Sequence, residues 1–174
     1  MLKLLGIVLV VGSFTGIGMA QRQAYQGRVN VLQGLLHALE LISDEVSFRL
    51  TSVPDLVELL THSKQAQVAD LFCRMQDSVR EENGLSLTYK WMKTFQQYGA
   101  EAGLREDDIR ILCDMSDFIG KYDAKSQQKC LDFAHKRLET QLETARTELK
   151  SKGMLYRTCC IAAGLLLVFV LLCR

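Results

Sequence analysis

Apolar residues are spread along this chain in three regimes. From Leu4 to Ala20 the sequence carries no charge, and from Thr158 to Cys173 it carries none again. At ~1.5 Å per helical residue the first stretch extends about 26 Å, and the second reaches about 30 Å if it starts at Met154. Both match the roughly 30 Å hydrocarbon core of a bilayer. Between them apolar positions recur every three to four residues, the spacing of amphipathic helices.

That period predicts the elements of the middle. Leu32, Leu35, Leu36, Leu39, Ile42 and Val46 mark a helix over 29–50. Ser52 can cap a short helix with Pro54 in its first turn, and Leu56, Val57, Leu59 and Leu60 form its apolar side. Val68, Leu71, Phe72, Met75 and Val79 mark the next, with Asn83-Gly84 as its stop signal. Leu87, Trp91, Phe95 and Tyr98 follow, and Gly99 and Gly103 bracket a turn. Glu106, Asp107 and Asp108 open a helix whose N-terminal dipole they complement. Its stripe is Ile109, Leu112, Met115 or Ser116, and Ile119, and Gly120 closes it. A last helix begins near Asp123 or Ala124 and carries Leu131, Ala134, Leu138, Leu142, Ala145 and Leu149. It points into the C-terminal apolar stretch, with Gly153 as the joint. The expected fold is all-α: about six helices over 28–152, flanked by transmembrane helices at 4–20 and 154–173. No βαβ pattern, internal repeat or low-complexity segment interrupts it.

Charge placement gives the expected orientation. Arg22, Arg28, Arg146, Lys150, Lys152 and Arg157 flank the apolar stretches on the side of the middle; Lys3 and Arg174 lie on the far side. The positive-inside rule then puts the middle in the cytoplasm. The competing reading is a cleaved signal peptide, with Lys3 as n-region and "GMA" before Gln21 as cleavage site. That would leave a secreted helical domain on a tail anchor. Gly12, Gly16 and Ala20 form a ladder of small residues that would let another membrane helix approach closely.

Composition narrows the function by exclusion. With 21 basic and 20 acidic residues there is no electrostatic footprint for nucleic acid. Cys73, Cys113, Cys130, Cys159, Cys160 and Cys173 contain no C-x-x-C pair, and those of the middle suit a reducing compartment. His37 and Glu40 have the i, i+3 spacing of a metal pair, but the second Glu-x-x-His of a dinuclear bundle site is missing. No G-x-S-x-G, H-E-x-x-H or P-loop occurs. The sequence therefore predicts no enzyme, cofactor or metal; a helical active site without a known motif is the remaining enzymatic reading. Glu40, Asp44 and Glu45 gather at the end of the first polar helix and are candidates for an acidic surface that docks a basic partner.

Four segments in order resemble the stage III sporulation protein AB family. The chain opens on "MLKLLG". Glu45, Val46, Phe48 and Pro54 match a leucine-rich segment. Ile119, Gly120, Asp123, Gln127 and Gln128 match a turn with an acidic cap and a glutamine pair. Tyr156, Arg157 and Gly164 match the closing helix, although Cys159-Cys160 stands where leucine-glycine is expected. The resemblance implies a membrane protein of the channel between mother cell and forespore. Its helical domain would lie in the mother-cell cytoplasm and be similar to those of secretion and pilus platform proteins. The implied partners are a secretion-type ATPase, the other membrane proteins of the channel and membrane lipid. Gly164 then joins Gly12, Gly16 and Ala20 as a candidate for helix packing in the membrane.

Overall fold

A computed structural model describes residues 2–45, 53–81, 84–118 and 124–173; side chains are described for 20, 22–45, 55–81, 84–118, 125–151, 158 and 162. Among these residues there are six helices and no strand: α1 (Leu2–Asp44), α2 (Val53–Thr61), α3 (Ala66–Arg80), α4 (Leu87–Tyr98), α5 (Glu106–Ser116) and α6 (Ala124–Cys173). The chain divides into two compact units: Arg28–Glu143, and Met1–Gly27 together with Thr144–Arg174.

The larger unit holds the core. From α1 come Leu32, Leu35, Leu39 and Ile42, from α3 Val68, Leu71, Phe72 and Met75, and from α6 Leu131, Leu138 and Leu142, all buried. These are the predicted stripes, and burying them stabilises the helices, since in proteins most helical stability comes from packing an amphipathic face. On α4 the Trp91 and Phe95 rings, both buried, meet edge to face with centroids 6.3 Å apart. The Ser86 hydroxyl caps α4 by accepting the Tyr89 N–H at 3.3 Å. Lys90, buried on α4, donates through Nζ to the Glu81 carbonyl just past the end of α3, which ties α4 to the end of α3.

Two glycines are required by geometry. A Cβ at Gly34 would lie 2.9 Å from Val68 Cγ2, so the missing side chain lets α1 and α3 cross closely. Gly103 turns the chain between α4 and α5 at φ +93°, a conformation costly to any residue with a Cβ.

The structure departs from the predicted pattern in four places. The first apolar stretch and the first polar helix are not separate elements: both belong to α1 (Leu2–Asp44). The buried face of α5 is Asp108, Ile111, Leu112, Met115 and Ser116, so Ile111 replaces Ile109 as the principal aliphatic residue of its first turns. Gly153 is not a joint: α6 runs through it to Cys173. Arg28 is not a free cation at a membrane flank; it is buried in the larger unit.

The smaller unit is helical over its described backbone, and Ala20, Arg22, Arg146 and Lys150 are exposed. No helix among the described residues is long and apolar enough to cross a membrane. The side chains of the expected spans 4–20 and 154–173, including Gly12, Gly16 and Gly164, lie outside the described residues apart from Ala20, Thr158 and Ala162. Val46, Phe48, Ile119, Gly120 and Asp123 also fall outside, as do the side chains of Pro54, Tyr156 and Arg157.

Candidate functional site

Two polar constellations join α1 to the helices packed on it. One is exposed, the other buried, and they differ in what they can do.

The exposed one begins at Glu40. On α1 this carboxylate lies 3.4 Å from His37 Nδ1, one turn back. Its other oxygen lies 3.6 Å from His135 Nε2 on α6, and His135 Nδ1 is 3.9 Å from Glu139. The period of α1 carries Ser43 and Asp44 one turn further on the same side, and α6 supplies Asp132 one turn before His135. Together these residues rim a groove of about 440 Å³ whose apolar lining is Leu39 and Leu131. The Gln128 amide donates to Ser43 Oγ across the two helices and to Asp132 Oδ1 at 3.2 Å. A smaller cleft of about 110 Å³ lies by His37, between α1 and the end of α2, with Leu41, Leu59 and His62 among its walls.

Of the three carboxylates singled out from the sequence, the fold brings Glu40 and Asp44 into one groove. Glu45 is half-buried and does not line it. Asp132 does, and sequence reasoning missed it. It lies next to Leu131 on a helix nearly ninety residues further on, so no local pattern connects it to Glu40. Three carboxylates in one groove make the site acidic on a chain whose net charge is only +1. They are largely exposed, so each is worth little alone in water. Their joint effect is selection for cationic partners and a rate of encounter that falls with salt. The groove has room for one or two side chains of a partner. Among the described residues no group of three or more His, Cys, Asp or Glu is placed to hold a metal ion.

The buried constellation centres on Arg28. Its Nε donates to Asp108 Oδ2 and its Nη2 to Asp108 Oδ1, both at 3.0 Å. The same Nη2 donates to Gln141 Oε1 at 3.1 Å. Asp108 is the third residue of α5 and wholly buried; its Oδ2 also accepts the Arg105 N–H at 2.9 Å. One carboxylate thus closes the first turn of α5 and takes a forked guanidinium from α1. Its remaining cost of desolvation is offset only while every one of these bonds is made: removing one partner of such a buried pair costs about 3–5 kcal/mol. The signal for this site was present in the sequence. Arg28 stands one turn before Val31 and Leu32, Asp108 one turn before Ile111 and Leu112, and Gln141 one turn after Leu138. All three are polar residues at apolar stripe positions.

The thiols are quiet by comparison. Cys113 on α5 lies 3.8 Å from the Met92 carbonyl. Burial, then Asp114 and Asp117, push it up to about 11. Burial, then Asp114, also raise Cys130. Neither has the depressed pKa of a reactive thiol.

Comparison with known proteins supplies the lineage. A sequence profile of the stage III sporulation protein AB family matches residues 3–172. The chain belongs to this family. The stage III sporulation protein AB of Bacillus subtilis (strain 168) is 24% identical over 173 residues, covering 99% of this chain and all of its relative. A solved structure of a stage III sporulation protein AB superposes with a TM-score of 0.64 at 21% identity, over 71% of this chain and 96% of that one. At that identity the superposition speaks for the fold alone. Family membership makes the chain a sporulation protein built on a helical bundle.

Proposed function

We propose that this protein is a non-enzymatic, membrane-anchored assembly platform of the channel linking mother cell and forespore, and that its bundle docks a secretion-type ATPase. In this reading the two apolar stretches at 4–20 and 154–173 anchor both ends in the mother-cell membrane that surrounds the forespore. The bundle then faces the mother-cell cytoplasm, where an ATPase is accessible, and the anchors meet lipid and the other membrane proteins of the channel. Gly12, Gly16, Ala20 and Gly164 serve helix packing within the membrane. The carrying observation is the convergence of Glu40 and Asp44 from α1 with Asp132 from α6 on one groove. The family and the uncharged stretches of sequence support the setting; the groove supports the docking role.

Docking by such a surface is geometric rather than chemical. A partner inserts a basic side chain between the carboxylates, and its position is read by a scaffold that does not itself turn over substrate. The test is co-purification of the ATPase with full-length protein carrying Glu40→Lys and Asp44→Lys. Recovery should fall at least about tenfold, the equivalent of losing ~1.4 kcal/mol, while helicity is unchanged. In the unsubstituted protein recovery should fall with added salt. Equal recovery from both proteins would rule the groove out as the docking face.

A further inference from the structure

The α1–α6 contact has a feature that the docking role does not use. Both helices bury nearly uniform aliphatic stripes: Leu32, Leu35, Leu39 and Ile42 on α1, and Leu131, Ala134, Leu138 and Leu142 on α6. The two helices run antiparallel, since Arg28 bonds Gln141 whereas Ser43 bonds Gln128. Aliphatic residues recurring every three to four positions do not by themselves choose a register. If one helix slides past the other by a turn, about 5.4 Å, its buried positions are again mostly aliphatic.

Polar ties can make that choice, because they work in one register only. Those at the Ser43 end of the contact are weak discriminators. The Glu40–His135 pair is exposed and long, and Gln128–Ser43 is a neutral, partly solvated bond. The Arg28 cluster is different. Asp108 is fully buried, and the guanidinium divides its donors between α5 and α6 at 3.0 and 3.1 Å. A one-turn slide of α1 would strand a guanidinium and a carboxylate away from water and from each other.

We propose that Arg28, Asp108 and Gln141 form a register lock: a buried polar cluster that selects one alignment of α1 with α5 and α6 among several that leucine packing alone would accept. Burying charge in this way adds little to net stability, because well-packed apolar residues of similar volume would do as well or better. Its contribution is to make the slipped alignments costly, disfavoured by about a hundredfold or more. Asp108 couples the lock to local structure, because the carboxylate that holds Arg28 also accepts the Arg105 N–H.

The experiment measures register directly. Spin labels are placed at Gln33 on α1 and Lys129 on α6, both exposed and outside the lock, in the full-length chain with its native cysteines replaced. Pulsed electron resonance then gives the distribution of distances between them. The intact lock should yield one population. Arg28→Met with Asp108→Leu and Gln141→Leu should yield a second, resolved population, its distance changed by up to about one turn, 5 Å, with helicity retained. Should the triple variant lose its helicity, Arg28→Lys takes its place. It keeps the charge but loses the planar fork that reaches Asp108 and Gln141 together, so the second population should still emerge. Leu138→Ala serves as a control that loosens the core without touching the lock and should keep a single population. An unchanged single distance in the lock variants, or the same second population in Leu138→Ala, would overturn the proposal.

Discussion

Asp108 and Cys113 lie five positions apart on α5, in different surroundings. Asp108 keeps company with a guanidinium and an N–H. Cys113 has no cation among the causes of its shift: burial comes first, then the carboxylates of Asp114 and Asp117, and the thiol is held up to about 11 against an ordinary 9.0. The folded state therefore keeps its proton where the unfolded chain gives it up. Stability from this group is complete below pH 9 and is lost as pH rises towards about 11; the sign follows from proton linkage, because the unfolded state binds fewer protons in that window. Cys113→Ala should flatten the decline of unfolding free energy between those pH values relative to the parent chain, as read by chemical denaturation. A parallel decline in both would show that Cys113 does not contribute. At this scale the sequence was a partial guide. Glu106, Asp107 and Asp108 read alike as dipole-complementing acids, yet only Asp108 lies on the buried face. Helix geometry made that visible in principle; a guanidinium eighty positions away could not be found from local spacing.

At the scale of elements, helix existence was legible and helix ends less so. The apolar period located the six amphipathic segments, each of which buries one stripe, but not that the first and last run on through the apolar stretches as α1 and α6. The stop signals worked where glycine was needed for backbone reasons. Gly103 at φ +93° is such a place: a Cβ there has open space around it, so only backbone strain opposes it. Gly103→Ala should destabilise the purified chain by about 1–2 kcal/mol, measured as a lower denaturation midpoint with an unchanged slope. A neutral result would mean that the turn relaxes to negative φ at no cost. Gly153 failed as a joint because α6 continues through it with helical backbone. A single glycine costs a helix only about 1 kcal/mol, which strong helix-formers on both sides can absorb.

At the scale of the whole molecule, the proposed function depends on which side of a membrane the bundle occupies. Ser151 is exposed on α6, with its hydroxyl bonded to the Thr147 carbonyl at 2.8 Å, and so reports on the polar side of the C-terminal apolar stretch. In a chain whose native cysteines are replaced, Ser151→Cys should resist a membrane-impermeant thiol reagent in intact mother cells and react once they are permeabilised. Labelling without permeabilisation would put the bundle outside and favour the secreted, tail-anchored reading.

Composition and period alone determined the helical class and most of the core, because both follow from short-range spacing along the chain; the family resemblance came from four segments matched in order. Tertiary structure alone decided that Asp132 joins Glu40 and Asp44, that Glu45 does not, and that Arg28 is a buried ligand of Asp108 rather than a free charge. These depend on which faces meet, and a helix leaves its own period in the sequence but no record of the partner that covers it.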